Sequence, residues 1–285
     1  MADGAATATA TQLEVERFGA ALGGVVDGVD LSAPIGPELA AAIRAAVIEH
    51  HVVVFRGQDL DDDAHVRAAA ALGTPSVHIF DKLMGGTEPT VGGTDITSDH
   101  GLLTDRWHND VTFCPEPPAF ALLYCVQPAP VGGDTMWANM ELALERLSPA
   151  WQEFLAGLTA EHALPEGLMQ FYASKWGGDA IEVYRRELAG TTHPVVRTHP
   201  ETGRKALFAF ARSQHIVGMT DAESEAVLSF VEHHVADPNF SCRWRWNAGD
   251  LAIWDERSSL HYAVRDPWEG RRAMRRVLVD GDRPV

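Results

Sequence analysis

The sequence predicts a mainly β fold with peripheral helices, built as an antiparallel barrel or jelly roll. Many short apolar segments recur along the chain, each bounded by Gly, Pro or Asp turns. Helical patterns are few and lie between these segments. Neither an internal repeat nor a linker is apparent. With 285 residues, 46% of them hydrophobic and 22% charged, the chain has enough apolar residues for a large core. It is read as one domain over 13–285, after a short disordered tail at 1–12.

The elements follow in order. Residues 13–35 alternate short apolar runs with Gly-Gly and Asp-Gly pairs, a pattern of short strands and tight turns. PELAAAIRAAVIEH is a helix with Pro37 in its first turn, where a missing N–H costs little. The β-branched run of HVVVFRG is a buried strand, and DDDAHVRAAAAL a second helix with acids at its N-terminal end. Residues 84–105 are rich in Gly and Thr without a sustained period, which suggests a lid or binding loop. Strand patterns resume at AFALLYCVQ, PVVRTH, ALFAF, CRWRWN, LAIW and RAMRRVLV. A helical hairpin interrupts them at ANMELALERLSPAWQEFLAGL, and a further helix starts at the capping-box pair Thr220 and Glu223. His50, His51, His233 and His234 fall at helix C-termini, where positive charge suits the dipole.

A formal net charge of −17 repels phosphate backbones and anionic lipid, so a small molecule is the expected partner, with no nucleic acid and no membrane. Cys114, Cys125 and Cys242 form no C-x-x-C, and the N-terminus lacks an apolar targeting segment. A reducing cytoplasm fits this cysteine usage. Cys114 reads as a small buried residue beside the candidate site, and Trp254 as a core residue that could approach it.

Among the 13 histidines, one begins an H-x-D: His108-Asn109-Asp110, in DRWHNDVTFCPEPPAF. If WHNDVTF is extended, His108 and Asp110 project from one strand face. With a third imidazole they would form a 2-His-1-carboxylate facial triad, which suits Fe(II) because coordination positions stay open. His261, between LAIW and RAMRRVLV, is the best candidate, although satisfied core or surface histidines would give the same pattern. His199-Pro200-Glu201 offers a similar spacing, but THPETGRKALF spells a hairpin turn. In RRAMRRVLV, Arg272, Met274 and Arg276 share one strand face, with the arginines about 13 Å apart at roughly 3.3 Å per residue. An arginine inside a barrel needs an anion, whereas on an exposed edge strand it would only discourage edge pairing.

The blocks WHNDVTF, VGGDTMWANM, HPVVRTHPETGRKALF, CRWRWNAGDLAIWDERSSLHYA and RRAMRRVLVDGDRP together resemble the taurine dioxygenase (TauD/TfdA) family of Fe(II)- and 2-oxoglutarate-dependent oxygenases. The resemblance implies a double-stranded β-helix (cupin-like jelly roll) core, often in dimers or tetramers. It also implies iron on His108, Asp110 and His261, with 2-oxoglutarate and O2 as co-substrates. The far carboxylate of 2-oxoglutarate would be held by Arg272 and Thr135. Arg276 and His78 match positions that contact an acidic group of the primary substrate. The match fails where the taurine enzymes carry a Tyr and this chain has Asp81, at Thr104 in place of an Asn, and at Ser213 in place of a pocket Phe. Those departures imply a substrate other than taurine. Hydroxylation beside a heteroatom would release succinate and CO2 and break a C–S, C–O or C–N bond. Two other classes remain compatible with the residues: a cupin-like metalloenzyme without 2-oxoglutarate, and a non-catalytic barrel that binds a small acid.

Overall fold

The computed structural model describes residues 13–97, 106–208, 213–264 and 270–285, apart from the side chains of 94–97 and 213–214. The expected tail at 1–12, Thr104 and the end of the expected lid lie outside the described residues.

The chain opens with strands β1 (Glu16–Arg17) and β2 (Gly24–Val26), helix α1 (Pro37–His50), strand β3 (Val52–Phe55) and helix α2 (Asp62–Ala70). Pro37 starts α1, and the Asp61 side chain caps α2 by accepting from the Ala64 N–H. Both follow from the local sequence. Next come the short helix α3 (Ile79–Leu83) and strands β4 (Gly92–Thr97), β5 (Phe120–Gln127) and β6 (Thr135–Asn139). The expected hairpin is helices α4 (Met140–Glu145) and α5 (Pro149–Ala156), capped by Asn139 and Ser148. Strand β7 (Thr159–His162) leads into helices α6 (Glu166–Trp176) and α7 (Gly178–Glu187), a stretch to which the sequence reading assigns no element. Strands β8 (Thr192–Pro194), β9 (Val196–Thr198), β10 (Lys205–Leu207) and β11 (Ser213–Ile216) precede helix α8 (Asp221–Val235), whose capping box of Thr220 and Glu223 forms as read. The chain ends with β12 (Ser241–Trp244), β13 (Leu251–Asp255), β14 (Ser259–Ala263) and β15 (Arg271–Val279).

Seven strands form one sheet in the order β1-β2-β3-β13-β5-β15-β4, and β12-β6-β14 form a second, smaller sheet. The core lies in layers set by strand alternation. Val52, Val54, Ala121, Trp254 and Met274 of the large sheet pack with Trp137, Cys242 and Trp244 of the small one. The intervening residues Val53, Phe55, Leu122, Ile253 and Val277 face the other way, onto Ile43 and Val47 of α1 and Ala64 and Ala68 of α2. On the small sheet, Leu260 and Ala138 face α4 and α8, while their neighbours His261 and Trp137 turn inward. Helices α6 and α7 form a separate apolar layer with Phe80, Phe113 and Cys114. This is a jelly roll with its helices outside.

Two expectations change. Part of the segment read as a loop over 84–105 is strand β4, paired with Arg271–Arg276 of β15 at the sheet edge. Gly92 and Gly93 obscure its pattern, because β-propensity mostly reports side-chain packing. His51 is no dipole-facing cation. It sits at the C-cap of α1 with φ 62°, is buried, and its Nδ1 lies 2.9 Å from Ser258 Oγ. Burial pushes its pKa down to about 4, so the ring is neutral near pH 7.

Candidate active site

His108 and His261 meet across one antiparallel bridge. Each backbone N–H donates to the other's carbonyl, at 3.0 and 2.9 Å, and the rings lie 4.0 Å apart. Past His108 the chain turns, so the extended WHNDVTF strand is corrected: Val111 has φ 54°, a conformation costly for a β-branched residue. The turn, rather than a strand face, brings Asp110 to the histidines. One ligand atom from each of His108, Asp110 and His261 lies within 4.8 Å of the others, and all three residues are buried.

Asn109 holds this turn. Its Nδ2 donates to the carbonyls of Glu256 (2.7 Å) and Ser259 (2.6 Å), which ties the His108–Asp110 segment to the β13–β14 turn. Glu256 adds a second tie, because its carboxyl accepts from the Asp110 N–H at 3.1 Å and from Trp254 Nε1 at 2.8 Å. Burial, and then the Asp110 charge, raise the Glu256 pKa well above the ordinary carboxylate value. Sequence reasoning missed both residues; their position inside and beside the ligand-bearing segments was the available signal. Trp254 does reach the site, with its ring 4.9 Å from that of His261.

The donor set fits a metal ion. His108 Nδ1 lies 2.7 Å from the Arg106 carbonyl, which can only accept. Nδ1 therefore carries the proton, and the Nε2 lone pair is available to a metal. Two imidazoles and a carboxylate match an Fe(II)-type facial triad.

Arg272 and Arg276 both lie toward the interior on β15. Arg272 is buried, its Nε donates to the Gly133 carbonyl at 2.9 Å, and no acid among the described residues pairs with it. Gly133 is required there: it has φ +68°, and a Cβ would come within 2.9 Å of Arg272 Cδ. Thr135 is buried beside this segment, and its Oγ1 accepts from Trp246 Nε1 at 3.0 Å, so its own O–H can donate. Arg276 is half-buried, and its Nη1 lies 2.8 Å from both Asp110 oxygens. Burial opposes the Arg276 charge, but Asp110, then Tyr172 and Glu256, outweigh it and raise the pKa.

Arg276 and His78 line a cavity of about 380 Å³ whose other walls include Val77, Ile79, Leu83, Val111 and Leu278. His78 Nδ1 accepts from the Phe80 N–H at 3.3 Å. Burial, then Arg276, push its pKa down to about 4. Asp81 does not line the cavity; its carboxylate accepts from Trp176 Nε1 at 2.7 Å and from Thr90 Oγ1 at 3.3 Å. Ser213 begins β11 opposite His162 of β7, with its side chain outside the description. Cys114 lines the cavity as a buried thiol whose pKa burial pushes up to about 12, in keeping with a small inert residue. His199 is engaged elsewhere: its Nε2 lies 3.0 Å from Asp255 Oδ2, in a buried network with Arg257.

A jelly roll with a buried His-His-Asp cluster that could hold a metal ion defines a class, the jelly-roll proteins with a candidate metal centre. Residues 9–278 match the family described as taurine catabolism dioxygenase TauD, TfdA family, and the chain belongs to it. It is 35% identical to an alpha-ketoglutarate-dependent sulfate ester dioxygenase from Pseudomonas putida, over 97% of this chain and 92% of that protein. Identity to an alkylsulfatase from Acinetobacter baylyi is 32%, over 95% and 86%. Among solved structures, a taurine dioxygenase from Burkholderia xenovorans superposes with a TM-score of 0.76 at 32% identity, covering 96% of this chain and 93% of that one. AAD-2 in complex with Mn(II) and N-oxalylglycine gives 0.79 at 26% identity, covering 96% and 99%. Among the described residues no helix is long and apolar enough to cross a membrane.

Proposed function

We propose that the protein uses Fe(II), 2-oxoglutarate and O2 to hydroxylate an amphipathic organic acid, releasing succinate and CO2, in a reducing cytoplasm. The observation that carries this reading is the convergence of His108, Asp110 and His261 in the barrel that also holds Arg272, a buried guanidinium without an acid partner among the described residues. Isolated burial of such a charge is expensive, and its fork suits a carboxylate. When bound, the iron and its keto-acid partner supply oxygen activation and oxidation of a C–H bond.

The protein's own part is binding and orientation. His108, Asp110 and His261 would hold the metal. Arg272 and the Thr135 hydroxyl would hold the far carboxylate of 2-oxoglutarate. At the other end, Arg276 and the neutral Nε2–H of His78 would take the acidic group of the primary substrate. The apolar part of the cavity wall would bury its body, beside a polar part that includes Lys82, Thr90, Glu116 and Asp280. Overall, substrate C–H, 2-oxoglutarate and O2 become C–OH, succinate and CO2. On the carbon next to a sulfate ester oxygen, hydroxylation would be followed by collapse to an aldehyde and inorganic sulfate. The similarity to a sulfate ester dioxygenase and an alkylsulfatase supports that class as the first to test.

Anaerobic addition of Fe(II) and 2-oxoglutarate to the purified protein should give a visible metal-to-ligand charge-transfer band. His108→Ala should abolish it and lower succinate formation by about a hundredfold or more. A folded wild-type protein without the band would overturn the reading. Substrate-dependent succinate release across alkyl sulfates, sulfonates and aryloxy acids then identifies the substrate.

A further inference from the structure

Asp81 stands where sequence comparison leads one to expect a substrate-facing aromatic residue, yet it faces Trp176 of α6, 95 positions along the chain. The Trp176 indole lies flat on the His78 ring, with centroids 4.6 Å apart and planes 5° apart. Tyr172, one turn earlier on α6, meets the same imidazole edge-on at 5.6 Å. His78 is thus packed between α6 and the cavity it lines. Neither Asp81 nor Trp176 lines the cavity; they reach it through His78, on which Trp176 stacks, and through Thr90, whose hydroxyl bonds to both Asp81 and the His78 backbone.

We infer that Asp81 and Trp176 are positioning residues for the acid-binding end of the cavity: Asp81 fixes the indole, and the indole fixes His78 so that the ring offers Nε2–H to an anion held by Arg276. The inference rests on the reading of His78 and Arg276 as that acid-binding end.

Three observations support it. First, the Trp176 N–H donates to the Asp81 carboxyl at 2.7 Å, a short, directed bond that fixes the orientation of the indole. Second, the Phe80 N–H donates to His78 Nδ1, which leaves Nε2 as the protonated nitrogen of the neutral ring. Third, burial, then Arg276 from β15 and Lys175 from α6, keep the ring uncharged, against the opposing pull of Asp81 from α3 and Asp110 from the turn. The imidazole can then recognise an anion only by directed hydrogen bonding, which fails if the ring rotates.

The test uses the full-length protein with Zn(II) in place of iron, 2-oxoglutarate bound and ¹⁵N-labelled histidine. Inorganic sulfate is the probe. Wild-type His78 should show the Nε2–H tautomer from pH 8 to 5, with its Nε2 resonance shifting as sulfate binds. Trp176→Leu and Asp81→Ala should mix the tautomers and weaken sulfate binding about tenfold. Asp81→Asn, which keeps the acceptor, should stay close to wild type, and 2-oxoglutarate affinity should be unchanged in every variant. Asp81→Ala retaining both the tautomer and the sulfate affinity would overturn the inference, as would equal losses of sulfate and 2-oxoglutarate binding. If wild-type protein binds no sulfate, the acid-binding assignment and this inference fail together, while succinate formation still tests the dioxygenase reading on its own.

Discussion

Arg272 and Arg276 sit on one strand, four positions apart, yet their surroundings differ in kind. Arg272 is enclosed by the Gly133 segment and feels the nearby Asp134 charge, but no acid among the described residues forms an ion pair with it. Arg276 is half-exposed and already shares its charge with Asp110. Strand alternation puts both in the barrel, but neighbours from other segments decide what each can hold. On the proposed reading the first would be a socket for an external carboxylate, and at the second an incoming acid would share the guanidinium with a candidate metal ligand.

The largest expected effect comes at the socket. Arg272→Ala should weaken 2-oxoglutarate binding about a hundredfold, as for removal of one side of a desolvated charge pair, while primary-substrate affinity changes little. A smaller effect is expected at the shared site. Arg276→Ala should raise the primary substrate's KM about tenfold and leave the 2-oxoglutarate band in place, because a half-exposed guanidinium is partly screened by water. Comparable losses of 2-oxoglutarate affinity in both variants would dissolve the distinction.

The smallest effect is on the ratio of the two affinities between pH 8 and 5, which should stay constant because neither guanidinium titrates in that range. Stability itself should fall. Burial pushes His51 and His65 down to about 4 and His162 to about 3, from an ordinary 6.5. Below pH 6.5 the unfolded chain therefore takes up protons that the folded chain refuses. The linkage relation gives a loss of about 2 kcal/mol per histidine at pH 5. Thermal melts across this range should show the midpoint dropping with acid. An affinity ratio that drifts while the protein stays folded would reveal a titrating group at one end.

The regular elements were legible wherever one period dominated: α1, α2 and β3 lie within the segments that PELAAAIRAAVIEH, DDDAHVRAAAAL and HVVVFRG mark out, and β15 begins one residue before RAMRRVLV. The site was legible in its residue types but not in how they are held. Extended geometry was expected to align His108 with Asp110. Instead a single bridge, a left-handed Val111 and the tertiary bonds of Asn109 do so. Local pattern has no access to a carbonyl nearly 150 positions away. For the same reason the contact between Asp81 and Trp176 was invisible. Helices α6 and α7 pack against Phe80 and Phe113, from segments far away in the chain, so the layer they form was not legible from their own stretch.

On β14, Leu260 fills the outer apolar layer while the next residue, His261, reaches the interior. A slip of one position against β6 would exchange them, since successive side chains point to opposite faces. Such a misthreaded copy would put an imidazole into oil and an isobutyl group where a ligand belongs. Chemistry and solubility would be lost in the same error, so a cell that discards unstable chains would also discard the inactive ones.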